Sequence, residues 1–262
     1  MEKILINLEK KLKIKVKHIE KYHDGTTNAL VFCVNNTYLI KKMSRKELNT
    51  QILFFDFYKD NNYFQKIVYV NKRLCFICFR YLNGILFNKN KQINKLKIID
   101  EIYSIVKSYK KVNNNFYGYL EYPKISAIDF LKSEIEYAKE KLKKLNIDDS
   151  KVYIALNKFK NIKIDKYLLH GDFGVHNFLI NNKYLRVIDP MPLVFDPLYD
   201  FYFAILSSNL LFVDLSYIFK YFNHDLNYKK NLLLIVFYIR MSRAYLYDVD
   251  HFKDYLRIYE TL

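Results

Sequence analysis

The stretch Tyr167-Leu-Leu-His-Gly-Asp-Phe-Gly-Val-His-Asn-Phe-Leu-Ile180 decides how this chain is read. His170-Gly-Asp172 follows an apolar strand, and Asn177 comes five residues after Asp172. A further apolar run, Tyr184 to Ile188, ends on Asp189. Two strands joined by Asn181-Asn182 bring Asn177 and Asp189 near one another. Asp, Asn and Gly are ordinary turn residues, and a lone D-x-x-x-x-N would signify nothing more. The complete string, with His-Gly ahead of it and a strand-terminal Asp twelve residues after Asn177, points to chemistry. Phosphoryl transfer needs aligned reactants, metals that neutralise phosphate charge, and a carboxylate near the attacking hydroxyl. Asp172 suits the carboxylate role; Asn177 and Asp189 offer the hard oxygens that magnesium prefers.

The first eighty residues read mostly as strands. Leu30–Val34 and Thr37–Met43 are β-branched and aromatic runs joined by Asn35-Asn36, a two-residue turn signal. Ser44 opens a helical pattern through Glu47, Ile52, Phe55 and Tyr58, and Lys66–Val70 and Leu74–Tyr81 read as two more strands. After Gly84 the spacing turns helical: Ile93, Leu96, Ile99, Ile102 and Val106 recur every three or four residues, as do Ile128, Leu131, Ile135, Ala138, Leu142 and Leu145. The expected fold class is α+β, with a small β-rich lobe over residues 1–84 and a larger helical lobe over 85–262.

"LLHGDFGVHNFLI" followed by "VIDPMPLVFDPLYDF" resembles the aminoglycoside phosphotransferase and choline kinase superfamily, a branch of the two-lobed protein-kinase-like fold. The resemblance implies an ATP-dependent phosphotransferase using Mg2+ and acting on the hydroxyl of a small molecule. It implies Asp172 as catalytic base, Asn177 and Asp189 as magnesium ligands, Asp200 as a brace of the catalytic loop, and His170 in a supporting role. Pro190 stands where many relatives have an aromatic residue, and Phe195 where glycine is common; neither removes a needed charge. In the first lobe, Gly25-Thr-Thr-Asn28 resembles a turn lying over ATP phosphates, and "TYLIKKM" the strand carrying the phosphate-binding lysine. Lys41 and Lys42 compete for that role from opposite faces of the strand; Lys41 fits the spacing better. Glu47, or Gln51 one turn on, is its expected partner. "CFRYLNG" resembles the segment joining the lobes, where backbone groups of Arg80 and Leu82 would pair with adenine.

Composition sets the remaining bounds. Half the residues are apolar, which excludes a disordered chain. No signal peptide is evident, and the run Leu232–Ile239 is about half the length needed to span a bilayer; a cytoplasmic protein is expected. Cys75 and Cys78 form a C-x-x-C, but "RLCFICFRY" reads as a buried strand, so a core role in a reducing compartment is expected rather than zinc or redox work. The net charge of +16 invites a nucleic-acid hypothesis. The excess is diffuse, however: +9 over residues 1–84, +9 over 85–188 and −2 over 189–262. Tyrosines interleaved with Lys would suit single strands, yet Tyr103, Tyr137 and Tyr153 sit at helical core spacings, so nucleic acid is not the expected partner, and no protein partner is implied.

The acceptor is less legible. Asp196, Asp214, Asp225, Asp248, Asp250, Asp254 and Glu260 make the last third net acidic, which favours a cationic, aminoglycoside-type acceptor. Choline or ethanolamine would instead need an aromatic cage, for which Tyr199, Tyr202, Tyr245 and Tyr247 are available.

Overall fold

A computed structural model describes residues 1–22, 30–87, 94–181, 184–208, 214–247 and 249–262. The chain divides into two compact units, Met1–Ile85 with Leu179–Ile188, and Leu86–Phe178 with Asp189–Leu262.

The first unit is built on a five-stranded antiparallel sheet. It opens with a helix the sequence reading did not anticipate, α1 (Glu2–Leu12), and the strand β1 (Ile19–Tyr22). Ile4 and Leu8, one turn apart, carry the signal that the Lys-rich surroundings obscured: both are buried against Phe32, Val34, Ile40, Phe76 and Cys78. Then come β2 (Leu30–Val34), β3 (Tyr38–Lys42), α2 (Arg45–Phe57), β4 (Ile67–Asn71), β5 (Phe76–Arg80) and the short β6 (Ile85–Leu86). The sheet order is β1-β2-β3-β5-β4. Asn35 and Asn36 take φ of 51° and 49°, the left-handed pair a tight two-residue hairpin requires, and Asn pays little for that conformation. Ser44 caps α2 through a reciprocal box: its side chain accepts from the Glu47 N–H, and Glu47 Oε2 accepts from the Ser44 N–H at 2.9 Å.

One expectation about cysteine is corrected here. β5 begins at Phe76, not Leu74, because Cys75 lies in the preceding turn at φ 53° and is only half-buried, whereas Cys78 is fully buried. Among the described residues no cluster of three or more His, Cys, Asp or Glu is placed to hold a metal.

The second unit is helical. α3 (Lys95–Lys107), the two-residue strand β7 (Gly118–Tyr119), α4 (Ala127–Leu142), α5 (Ser150–Asn157) and β8 (Tyr167–Leu169) lead to the decisive stretch. The hairpin β9 (Phe178–Asn181) and β10 (Tyr184–Val187) follows, then β11 (Leu193–Phe195). The three-stranded sheet β10-β9-β6 groups residues 179–188 with the first unit, and the Val187 N–H donates to the Tyr63 carbonyl at 2.9 Å. A second small sheet, β7-β11-β8, stays in the helical unit. α6 (Pro197–Ile205), α7 (Leu215–Phe219), α8 (Leu226–Tyr247) and α9 (Val249–Thr261) complete the chain. Every residue of α6 is buried, and α8 is buried almost all round between Leu232 and Met241, as a central helix must be. No helix among the described residues is long and apolar enough to cross a membrane. Tyr137 departs from its expected core position: it is 54% exposed, with the Lys141 ammonium 5.0 Å from its ring, so helical spacing alone did not indicate burial.

Candidate active site

The turn between β8 and β9 is held from below by α6. Asp200 lies one turn into that helix, fully buried; its Oδ2 accepts from the Gly171 N–H at 3.2 Å and from the Tyr109 hydroxyl at 2.8 Å. Burial pushes the Asp200 carboxyl up to about 7, against the pull of those donors. Gly171 takes φ +82°, and a Cβ there would stand 2.0 Å from the Met191 carbonyl oxygen, so only glycine permits the chain to pass this close to the segment after Asp189. His170 is buried, its ring 5.6 Å from Phe173, and its carbonyl accepts from the Met191 N–H at 2.9 Å. Farther along the turn, the Val175 N–H donates to Ser207 Oγ at 2.9 Å, tying the loop to the other end of α6.

This frame presents Asp172. Asn177 Nδ2 donates both to the Asp172 carbonyl, at 2.8 Å, and to its Oδ2, at 3.0 Å. His176 Nε2 lies 3.1 Å from the same Oδ2, its ring crossing over Gly174, where a Cβ would meet it at 2.6 Å. Arg243, from α8, places Nη1 3.2 Å from Oδ1. Burial opposes ionisation of Asp172, but His176, Arg243 and His170 outweigh it and hold the carboxyl well below the usual carboxylate range. Asp172 is therefore a carboxylate at neutral pH, able only to accept.

Beyond Arg243 lies Glu134 of α4, whose Oε2 is 4.0 Å from Nη2 and accepts from the Tyr119 hydroxyl at 3.4 Å. Arg240 and Arg243 both lie against the Phe203 ring, 4.7 and 4.6 Å from its centroid. None of Arg243, Glu134, Tyr109, Tyr119 or Ser207 was singled out as a site residue from sequence. Their separation from the loop, 71 residues in the case of Arg243, leaves no local pattern to find.

The two expected oxygen ligands, Asn177 and Asp189, lie on either side of the β9–β10 hairpin. Asn177 spends its amide nitrogen on Asp172, which leaves Oδ1 without a donor among the described residues. Asp189 is half-buried and takes φ 59° immediately beyond the β10 hairpin. These are hard oxygens, and they fit magnesium.

The expected nucleotide-binding residues fall in the first unit. Lys41 is half-buried and stands opposite Ile77. It shares the sheet face of Phe79, which meets Phe55 of α2 at 4.9 Å. Lys42 is exposed and stands opposite Phe76, on the face covered by α1. Glu47 is engaged in its helix cap, while Gln51 is 5% exposed on the inward side of α2. Arg80 ends β5 with its guanidinium 5.3 Å from the Tyr38 ring. Leu82 follows, its backbone unbonded among the described residues. Gly25 lies outside the described residues.

This fold is that of the kinase-like small-molecule phosphotransferases: a sheet-rich amino-terminal unit and a helical carboxy-terminal one. Among solved structures, choline kinase LicA from Streptococcus pneumoniae matches with a TM-score of 0.65 and 13% identity, covering 100% of this chain and 99% of that one. The ADP-bound aminoglycoside phosphotransferase APH(2'')-Ib matches at 0.59 and 16% identity over 99% and 97% of the two chains. The streptomycin–ATP complex of APH(2")-IIa matches at 0.62 and 16% over 93% and 90%. No protein-family model matches the chain, and no curated protein does.

Proposed function

We propose that this protein is a small-molecule kinase that moves the γ-phosphoryl group of ATP to an acceptor hydroxyl, with Asp172 as the base. The observation that carries this reading is the Asp172–Asn177 pair: Asn177 Nδ2 donates to the Asp172 carbonyl and Oδ2, which fixes the carboxylate and leaves the Asn177 oxygen for a metal. Asp172 accepts the hydroxyl proton as the acceptor oxygen bonds to the γ-phosphorus and the bond to the β–γ bridging oxygen breaks, releasing ADP. Asn177 and Asp189 would hold magnesium, which when bound would neutralise charge at the phosphates. Lys41 is the phosphate-binding lysine, since it lies on the α2 side of the sheet, and Gln51 is better placed than the capping Glu47 to support it. Backbone groups near Arg80 and Leu82 take adenine.

Four of the seven acids behind the aminoglycoside reading of the acceptor are engaged elsewhere. Asp196 is buried, caps α6 and is bonded by Tyr228 and His224. Asp214 and Asp225 cap the starts of α7 and α8, and Asp254 pairs with Arg257. Asp248 and the side chain of Asp250 lie outside the described residues. Of the four tyrosines offered for an ammonium cage, Tyr199 and Tyr202 are wholly buried, Tyr245 is half-buried against Phe252, and the side chain of Tyr247 lies outside the described residues.

The test is magnesium-dependent ATP consumption against a broad set of small hydroxyl compounds. With any true acceptor, Asp172→Asn is expected to lower kcat by at least about 100-fold, the usual range for losing a general base, with the KM for ATP little changed. A variant as fast as wild type would remove Asp172 from the mechanism.

A further inference from the structure

The donors around Asp172 determine where an acceptor hydroxyl can approach. An ionised carboxylate offers about four lone-pair positions. Both on Oδ2 are taken, by Asn177 at 3.0 Å and His176 at 3.1 Å. On Oδ1 the only donor among the described residues is Arg243, at 3.2 Å. One position is left, and it lies beside the guanidinium. Asp172 and Arg243 retain 26% and 24% side-chain exposure, so a small molecule can touch both.

A guanidinium carries five N–H donors in a plane that matches carboxylate and phosphate oxygens. Asp172, Tyr119, Tyr199, Glu134 and Arg240 surround Arg243; Asp172 and Tyr119 take hydrogen bonds from it, and Glu134 at 4.0 Å is beyond hydrogen-bond reach, so donors remain among its five N–H groups. The central carbon of the Arg243 guanidinium lies 4.6 Å from the centroid of the Phe203 ring. Arg240, on the same ring, adds a second guanidinium, 8% exposed and with Nε unpartnered. Arg240 and Arg243 thus put two cations beside the Phe203 ring.

Building on the kinase reading, we propose that Arg243 binds the acceptor, and that the acceptor carries an anionic group, a carboxylate or a phosphate, next to the hydroxyl that is phosphorylated. The hydroxyl donates to Asp172 Oδ1 while the anion takes the free N–H groups of Arg243. An amine at that position would meet the guanidinium instead, which disfavours polyamine acceptors.

The test is a panel of hydroxy acids and phosphorylated polyols, each matched with its neutral and amino analogue, assayed for magnesium-dependent phosphorylation. Binding of a fluorescent ATP analogue is measured alongside. The anionic members are expected to be the substrates. Arg243→Gln should raise their KM ten- to hundred-fold, the loss expected for a charge-assisted hydrogen bond, while kcat falls less and the KM for ATP stays put; Arg243→Lys should restore part of the KM. Turnover confined to amino or neutral members overturns the inference and leaves the kinase reading intact. So does an Arg243→Gln variant, folded by its melting curve, that lowers kcat alone. Nucleotide binding without turnover of any anionic member also overturns the inference. Absence of both turnover and magnesium-dependent nucleotide binding overturns the kinase reading and the inference with it.

Discussion

Gly171 combines φ +82° with a backbone neighbour 2.0 Å from where a Cβ would stand, and it immediately precedes Asp172. Gly171→Ala must therefore move the Met191 segment or abandon the turn. Strain of this kind costs about 1–3 kcal/mol per residue, so the variant should melt several degrees lower and lose most of its turnover. An unchanged melting temperature would show that the loop is not fixed against Met191. The residues that could be named from sequence at this scale, Asp172, Asn177, Asp189, His170 and Asp200, lie within 31 positions and include an HGD string. Arg243 and Glu134 could not, because a guanidinium on a helix ordinarily signifies only a solvated face.

α2 shows how one carboxylate can support two accounts. Sequence spacing offers Glu47 as the partner of a phosphate-binding lysine, but the same residue is N3 of a helix opened by Ser44, and the cap claims its side chain. Glu47→Ala is expected to cost about 1 kcal/mol of stability, the size of a lost cap interaction, and to leave the KM for ATP within twofold. Gln51→Ala should raise that KM. Denaturant melts and ATP titrations of both variants distinguish the two; a larger ATP effect for Glu47→Ala would return the role to it. Strands β2 and β3 were legible because β-branched residues and an Asn-Asn turn coincide, whereas β7 and β11, at two and three residues, exist only by pairing with each other and with β8.

Across the whole molecule, the buried Asp200 links protonation to stability. Its carboxyl titrates near 7 in the folded protein and near 3.8 in an ordinary setting, so the folded state holds the extra proton between those limits. The associated stabilisation is complete below pH 4 and is lost as the pH rises through 7. Wild type is therefore expected to lose stability relative to Asp200→Asn between pH 5 and pH 8, by a few kcal/mol at most; a melting-temperature difference that does not change with pH would refute this. Local sequence determined which groups are on offer: a loop with one carboxylate, two side chains with hard oxygens and a helix-borne carboxylate, following a sheet-rich stretch, because those groups are close in the chain and their spacing is set by turns and strands. Tertiary structure decided what surrounds them. It committed Asp196, Asp214 and Asp225 to helix caps and buried Tyr199 and Tyr202. It also carried Arg243 across 71 residues to Asp172, because α8 must bury nearly its whole circumference and so passes beneath the loop. The HGD loop seen first therefore carries the groups assigned to the phosphate donor, and the packing of α8 supplies Arg243, the group the proposed acceptor would meet.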